Sequence, residues 1–455
     1  MTEIYSARWV LPISSEPIEN GAVAFDRGRF IGVGDRRSLK ERFVEARVTD
    51  FGEAAILPGL VNAHSHLELT VMRGFLEREE GNFPAWLRKL TLARIAMSPE
   101  DLRVSTLCGA IEAARAGVTC FGDASSSAVT AMQGLREVGL RGIVYQESFG
   151  PDPSTAEENL EKLRLQLTEA RDLETGLVRV GVSPHATYTV SAPQLELISL
   201  LALENNLPVM MHAAESRAEE LFMREAGGQF ADGLKARGID WQAPGISTIQ
   251  YLARHGVLET TPLLAHCITV DEADIQTIKE SGSGIAHCPK SNAKLGHGWS
   301  PFTSFLAAGA KVGLGSDSVA SNNTCDLLEE ARFATFLARL NVDKFGVGLP
   351  PDANATLFSA TLGGARALGL DDQVGALEEG MQADLIVIGL DGIHQQPVRD
   401  PADALVFSSS GGDVLLTMVA GKEVYRDRQM VSVDEGDLVP RLEEIRTRLD
   451  STPIS

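Results

Sequence analysis

No stretch of this 455-residue chain approaches the ~20 consecutive apolar residues that a membrane-spanning helix needs. Met1-Thr2-Glu3-Ile4-Tyr5-Ser6-Ala7-Arg8 has no basic start leading into an apolar core, so the expectation is a cytoplasmic protein with no secretory leader and no membrane partner. Positive charge is scarce: 41 Lys and Arg stand against 62 Asp and Glu, a net charge of −21. That balance repels a phosphate backbone, and no local basic patch offsets it, so nucleic acid is not an expected partner. Cys108, Cys120, Cys267, Cys288 and Cys325 are odd in number, scattered and free of Cys-x-x-Cys spacing. This excludes a thiolate zinc ribbon and disfavours a disulfide framework. Short repeats and low-complexity tracts are also missing.

What is present is a change of rhythm along the chain. Residues 1–54 read as short strands with turn signals, among them Ala22–Phe25 and Phe30–Val33 around Asp26-Arg27-Gly28-Arg29, a hairpin by its Gly and Asp content. The same texture returns over 376–432, where Asp384–Ile388, Ala404–Phe407 and Val414–Val419 are strand-like. Between them, over 55–375, eight short apolar runs alternate with helical stretches: Ala55–Ala63, Val118–Gly122, Gly142–Gln146, Val178–Val182, Pro208–Met211, Leu263–Ala265, Gly284–Ala286 and Val312–Gly315. Buried strands alternating with helices imply parallel pairing, and eight of them fit an α/β fold of the (β/α)8 TIM-barrel type. The two strand-rich ends then join as a small β-sandwich, and 433–455 forms a helical tail.

In such a barrel the chemistry sits at the carboxyl ends of the strands. There are nine histidines, and His64, His66, His185, His212 and His266 all fall at predicted strand ends, a placement packing alone does not account for. His64 and His66 lie two apart in an extended segment, so both imidazoles point the same way and can reach one cation. His212-Ala213-Ala214-Glu215 adds a third nitrogen and a carboxylate suited to carrying the proton of a metal-activated water. The alternative for Glu215 is the start of an exposed acidic helix with Glu219 and Glu220. Asp317, in Gly315-Ser316-Asp317-Ser318, completes a divalent site of His64, His66, His212 and Asp317 and can take a proton, its alternative being a helix N-cap. His266 then serves substrate or hydroxide rather than the metal. His185 is a candidate substrate contact, His287 is expected to be structural, and His255, His297 and His394 carry no signal. Two-metal relatives of such sites commonly need a carbamylated bridging lysine at the end of the fourth strand; the fourth run here contains no lysine and is followed by Ser183-Pro184-His185, so that likeness implies a mononuclear site.

These residues resemble the amidohydrolase superfamily. The resemblance rests on Pro58-Gly59-Leu60-Val61-Asn62-Ala63-His64-Ser65-His66, His212-Ala213-Ala214-Glu215, Ala265-His266-Cys267, Ser291-Asn292, the run from Gly315 to Asn323, and Glu379-Gly380-Met381-Gln382-Ala383-Asp384-Leu385, and it spans nearly the whole chain. The branch is that of cytosine, guanine, adenosine-type and S-adenosylhomocysteine deaminases and the triazine hydrolases. His64-Ser65-His66-Leu67-Glu68-Leu69 with His212-Ala213-Ala214-Glu215-Ser216 looks most like the aminodeoxyfutalosine deaminases. The resemblance implies a distorted barrel, one divalent ion (Zn2+, or Fe2+ in some members), a homo-oligomer, and a small heterocyclic substrate. The implied activity is hydrolytic deamination of an aminated purine-like heterocycle or nucleoside. Glu215 would protonate the ring, Asp317 would take a proton from water, and His266 would steady the developing charge. Trp86 and Ser318 are further candidate substrate contacts, as is Glu68, unless it is a water-exposed loop carboxylate. The alternatives are a triazine-type chlorohydrolase or cyclic amide hydrolase on the same site, or a non-catalytic scaffold. The loops Arg73–Leu87 and Ser216–Ile249 are expected to set specificity.

Overall fold

The computed structural model describes residues 1–341 and 349–451; positions 342–348 of the expected barrel span and 452–455 of the expected tail lie outside the described residues. Near the N-terminus, Arg27 (φ 49°) and Gly28 (φ 77°) close a two-residue turn between Gly21–Asp26 and Arg29–Asp35. Positive φ at both central positions matches the twist of the flanking strands. These two strands, with Glu3–Ser6 and Arg47–Asp50, make a four-stranded sheet.

A seven-stranded sheet covers it. Its order runs Gln429–Met430, Lys422–Arg426, Val414–Val419, Leu385–Gly389, Ala54–Pro58, Trp9–Val10, Ile18–Glu19, so strands from both chain ends join edge to edge in one layer, Leu385–Gly389 against Ala54–Pro58. Tyr5, Val23, Phe25 and Phe30 pack with Ile56, Leu385, Val387, Leu416 and Met418 to fill the sandwich.

Two segments differ from the expectation. The run Ala55–Ala63, read as one barrel strand, is two: Ala54–Pro58 pairs antiparallel with Leu385–Gly389 in the sandwich, and after Gly59 the chain enters the barrel as Leu60–Ser65. A Cβ at Gly59 would lie 2.1 Å from Thr119 Oγ1, so only glycine fits this changeover. Ala404–Phe407, read as a strand, lies in one turn of π-helix, Ala404–Ser408. Asp400 accepts from the Ala402 and Asp403 amides, Pro401 starts the turn, and Arg332 Nε donates to the Val406 carbonyl at 2.9 Å. A short apolar run lacks the periodicity to separate a strand from a buried helix.

The eight barrel strands fall into two parallel four-stranded halves. Leu60–Ser65, Val118–Ser125, Arg141–Ser148 and Val178–Pro184 form one; Met210–Ala213, Leu263–His266, Gly284–His287 and Lys311–Leu314 form the other. Single bridges join the halves at both seams, Val182 with Val209 and Ser65 with Asp317, which gives a distorted barrel. Helices such as Pro99–Arg115, Ala156–Arg171, Ala192–Asn205 and Glu272–Ser281 separate successive strands. Val61, Ile143, Tyr145, Met210 and Leu263, with Ala365 and Leu368, fill the interior. Arg141 and Asp384, 3% and 1% exposed, tie barrel to sandwich with contacts of 2.8 and 3.1 Å. The helix Leu438–Ser451 packs on Pro99–Arg115, and among the described residues no helix is long and apolar enough to cross a membrane.

Candidate active site

The seam between the first and eighth strands is where the site begins. The Asp317 amide donates to the His64 carbonyl at 2.9 Å, and Asn62 and Ser316 latch the same seam by side-chain contacts of 2.7 and 2.9 Å. A Cβ on Gly315 would press within 3.0 Å of His64, so this glycine permits the close approach. Asp317 (φ 58°) and His266 (φ 73°) both take left-handed backbone. Such strain at a non-glycine residue persists where surrounding structure holds it, commonly at functional sites.

His64, His66, His212 and Asp317 come together as the spacing predicts. His64 Nε2 and His66 Nε2 lie 3.4 and 3.6 Å from Asp317 Oδ1, and His66 Nε2 lies 3.2 Å from His212 Nε2. The His266 ring sits 5.5 Å from that of His64 and 5.6 Å from that of His212. All five side chains are buried. Asp317 Oδ2 accepts from Ser291 and Ser321 at 2.5 and 2.9 Å, leaving Oδ1 toward the imidazoles. His212 Nδ1 faces the His185 carbonyl at 3.1 Å and His266 Nδ1 faces Asn292 Oδ1 at 2.9 Å. The His185 carbonyl can only accept, so His212 Nδ1 carries the proton and its Nε2 presents a lone pair, while Asn292 fixes the orientation of the His266 ring.

The donor set fits a divalent ion. Both ring nitrogens of His64 and the Nε2 of His266 are buried without a hydrogen-bond partner, and the ligand atoms of His64, His66 and Asp317, like those of His64, His212 and His266, lie within 4.8 Å of one another. Two nitrogens each ~2.0–2.1 Å from a tetrahedral ion stand about 3.4 Å apart, close to the His66–His212 spacing. Burial pushes the imidazoles of His64, His66 and His212 below their ordinary value, so they are neutral and able to ligate. Burial acts to raise Asp317, but His64, His266 and His66 outweigh it and hold the carboxyl well below the usual carboxylate range.

Glu215 is 4% exposed and belongs to no exposed helix; the helix Arg217–Glu225 starts after it, capped by Ser216. Its Oε1 lies 3.7 Å from both His266 Nε2 and His297 Nε2, and Tyr188 donates to Oε2 at 3.4 Å. Burial, with Asp317 and Glu219 adding to it, raises the carboxyl to about 7 against the pull of His266. Asp317 is likewise no N-cap, since Ser318 caps the following turn.

A cavity of about 390 Å³ opens over this floor. Glu68, Trp86, His185 and Ser318 all line it. Glu68 is a buried residue and not a water-exposed loop carboxylate: it is 1% exposed and accepts from Ser125 Oγ at 2.7 Å and the Ser126 amide at 3.1 Å. His185 Nδ1 pairs with Thr189 Oγ1 at 2.9 Å. The segments expected as loops after strands one and five are partly helical: Phe83, Trp86 and Leu87 reach the wall from the first turns of the helix Phe83–Ile95. From the helix Gly228–Ala236 after strand five, Phe230 stacks on the wall residue Tyr188 at 3.9 Å. His287 lies against Phe302 at 5.0 Å, away from the cavity lining, as a structural residue would.

Several residues of the site carry no sequence signal of their own. His297, without a reading above, packs on Phe83 at 4.4 Å and reaches Glu215. Gly296 (φ 68°) and Gly298 (φ 101°) flank it, and this pair of flexible positions was the available hint of a tight, returning loop. Tyr188, Arg94, Glu147 and Phe149 also line the cavity from helix or strand-end positions where their types are unremarkable.

The model of the amidohydrolase family matches residues 55–424. A 5-methylthioadenosine/S-adenosylhomocysteine deaminase of Pelotomaculum thermopropionicum is 32% identical over 431 residues, 94% of each chain. Among solved structures, an adenosine deaminase from Xanthomonas campestris with bound zinc superposes with a TM-score of 0.87 at 29% identity, covering 99% of this chain and 98% of that one. A zinc-complexed atrazine chlorohydrolase of Arthrobacter aurescens shares the fold, with a TM-score of 0.83 at 22% identity over 97% of this chain and 99% of the other.

Proposed function

The chain belongs to the amidohydrolase family and is a hydrolase of carbon–nitrogen bonds; from that premise we propose that it hydrolytically deaminates a nucleoside bearing an aminated purine-like ring. The observation that carries this reading is Glu215, a buried carboxyl raised to about 7 and set between His266, His297 and Tyr188 at the floor of an aromatic-walled cavity. Such a group holds a proton at neutral pH and can deliver it to a ring nitrogen.

His64, His66, His212 and Asp317 would hold the divalent cation, zinc by its borderline nitrogen-rich donor set, which when bound lowers the pKa of water from 15.7 toward ~7. The rest is the work of the chain's own side chains. Asp317, kept ionised, accepts the proton of the attacking water through Oδ1 while Ser291 and Ser321 hold Oδ2. Glu215 passes its proton to the ring nitrogen beside the carbon under attack, which makes that carbon electrophilic; Asp317 then hands the proton it took from water to the amino group, and as the C–N bond breaks and ammonia leaves, the remaining O–H proton returns to Glu215. His266, fixed by Asn292, points Nε2 into the floor, where charge develops. Trp86 and Phe83 bound the slot on one side and exclude water from it.

Relatives named for 5-methylthioadenosine and S-adenosylhomocysteine support a nucleoside, and the motif His64–Leu69 makes aminodeoxyfutalosine a further member of the set. The test is ammonia release by the zinc-loaded protein across 5′-methylthioadenosine, S-adenosylhomocysteine, adenosine, aminodeoxyfutalosine, free aminopurines and aminopterins, with a chlorotriazine as counter-substrate. Ammonia from at least one nucleoside is the expected result. Chloride release from the triazine with no ammonia from any nucleoside overturns the reading.

A further inference from the structure

Resting on that reading for the identity of the ring, we propose that Glu147 determines specificity by holding the vicinal hydroxyls of a sugar attached to the heterocycle. Glu147 ends the third barrel strand, Arg141–Ser148, with its side chain 6% exposed, and it lines the catalytic cavity. The other acids lining that cavity have donors of their own: Glu68 has Ser125 and Ser126, Asp317 has Ser291 and Ser321, and Glu215 has Tyr188. Among the described residues, no hydrogen bond reaches either carboxylate oxygen of Glu147. Its one ion-pair contact is His185 Nε2 at 4.0 Å, beyond hydrogen-bonding range. A buried carboxylate left this way is costly, and buried polar groups are almost always partnered. The missing partner is therefore expected from the occupant of the cavity.

Position and charge narrow the occupant. Ligand atoms of Glu147, His185 and His212 lie within 4.8 Å of one another, so Glu147 stands beside the reacting ring and not at the cavity mouth. It reads what is joined directly to that ring. Two open oxygens call for two donors. A vicinal diol supplies both in one group, whereas a ring N–H supplies one. A substrate ammonium would face Arg94, which lines the same cavity and already acts electrostatically on Glu147. Burial raises the Glu147 carboxyl against the opposing pull of His66 and Arg94, and two hydrogen bonds donated by a bound diol would act in the opposite sense, favouring the ionised form.

The experiment is calorimetric binding of inosine, 2′,3′-dideoxyinosine and hypoxanthine, none of which carries an amino group to lose, to the zinc-loaded protein and to Glu147→Gln and Glu147→Asp. Hydrogen bonds to a charged acceptor predict that the wild type prefers inosine over the dideoxy compound by at least ~10-fold. Glu147→Gln should bring that ratio close to one, and Glu147→Asp, which keeps the charge on a shorter arm, should keep part of it. Zinc content and melting temperature check that the variants are folded. A wild-type ratio near one, a ratio unchanged by Glu147→Gln, or no nucleoside binding at all overturns the proposal. So does hypoxanthine binding as tightly as inosine with the same dependence on Glu147, which would move the contact to a ring N–H. Failure of the deaminase reading looks different: the inosine preference persists while no nucleoside in the panel yields ammonia.

Discussion

At the floor of the cavity, His64, His66, His212, His266 and Asp317 come from four different strand ends, and the rings of His212 and His266 are held by the His185 carbonyl and by Asn292. On one side wall, Phe83, Trp86, Leu87, Leu90, Thr91 and Arg94 come from a single helix, Phe83–Ile95, capped by Asn82. The floor consists of groups whose positions are over-determined by sheet hydrogen bonds. The wall consists mostly of apolar surface on one element that can change without moving the floor. Chemistry and selection are thus carried by separate parts of the chain, and variants in the two parts should fail in different ways.

The sharpest break of the floor is His212→Ala, which should lose bound zinc by elemental analysis and cut ammonia release by ~10³-fold or more, since the activation of water goes with the ion. Glu215→Gln should keep the zinc yet lower kcat by at least ~10²-fold. In the wild type the proton on Glu215 is the active form, so kcat/KM should fall as the pH rises above about 7; no fall between pH 7 and 9 would remove Glu215 as the acid. Asn292→Ala takes away the acceptor that orients His266, and a loss of ~10–100-fold in kcat is expected at unchanged fold. The wall answers more gently. Trp86→Ala, which strips a large apolar surface from the cavity, should raise KM by roughly 10-fold with kcat largely kept, because uniform binding is what it removes. A fall in kcat as large as that of Glu215→Gln would erase the distinction between floor and wall.

The floor was readable in the chain because strand ends compress it into short patterns. His64-Ser65-His66 needs only the alternation of an extended segment to aim both rings one way, and His212-Ala213-Ala214-Glu215 places an imidazole and a carboxyl within one turn of loop. The wall was less readable. Trp86 could be named, but Tyr188, Arg94 and Glu147 are ordinary residues of a loop, a helix and a strand until the tertiary fold brings them to the cavity. His297 was silent for the same reason, since its role is a contact with Glu215, 82 positions earlier in the chain. In the scaffold, the changeover at Gly59 was hidden inside one apolar run, because a buried strand of the sandwich and a buried strand of the barrel have the same composition. Ala404–Phe407 failed as a strand on similar grounds: four apolar residues do not specify a period.

The sheet shared by the two ends of the chain has a consequence for how the molecule is made. Ala54–Pro58 hydrogen-bonds on one side to Trp9–Val10 and on the other to Leu385–Gly389, and Arg141 closes on Asp384 from the barrel. Ala54–Pro58 must therefore wait, with one strand edge unpaired, until Leu385–Gly389 has been synthesised more than 300 positions later. Fragments that stop short of Leu385 would carry that bare edge permanently, as an invitation to aggregate, so the two distant strands act as a clasp that fastens only once the barrel between them is made.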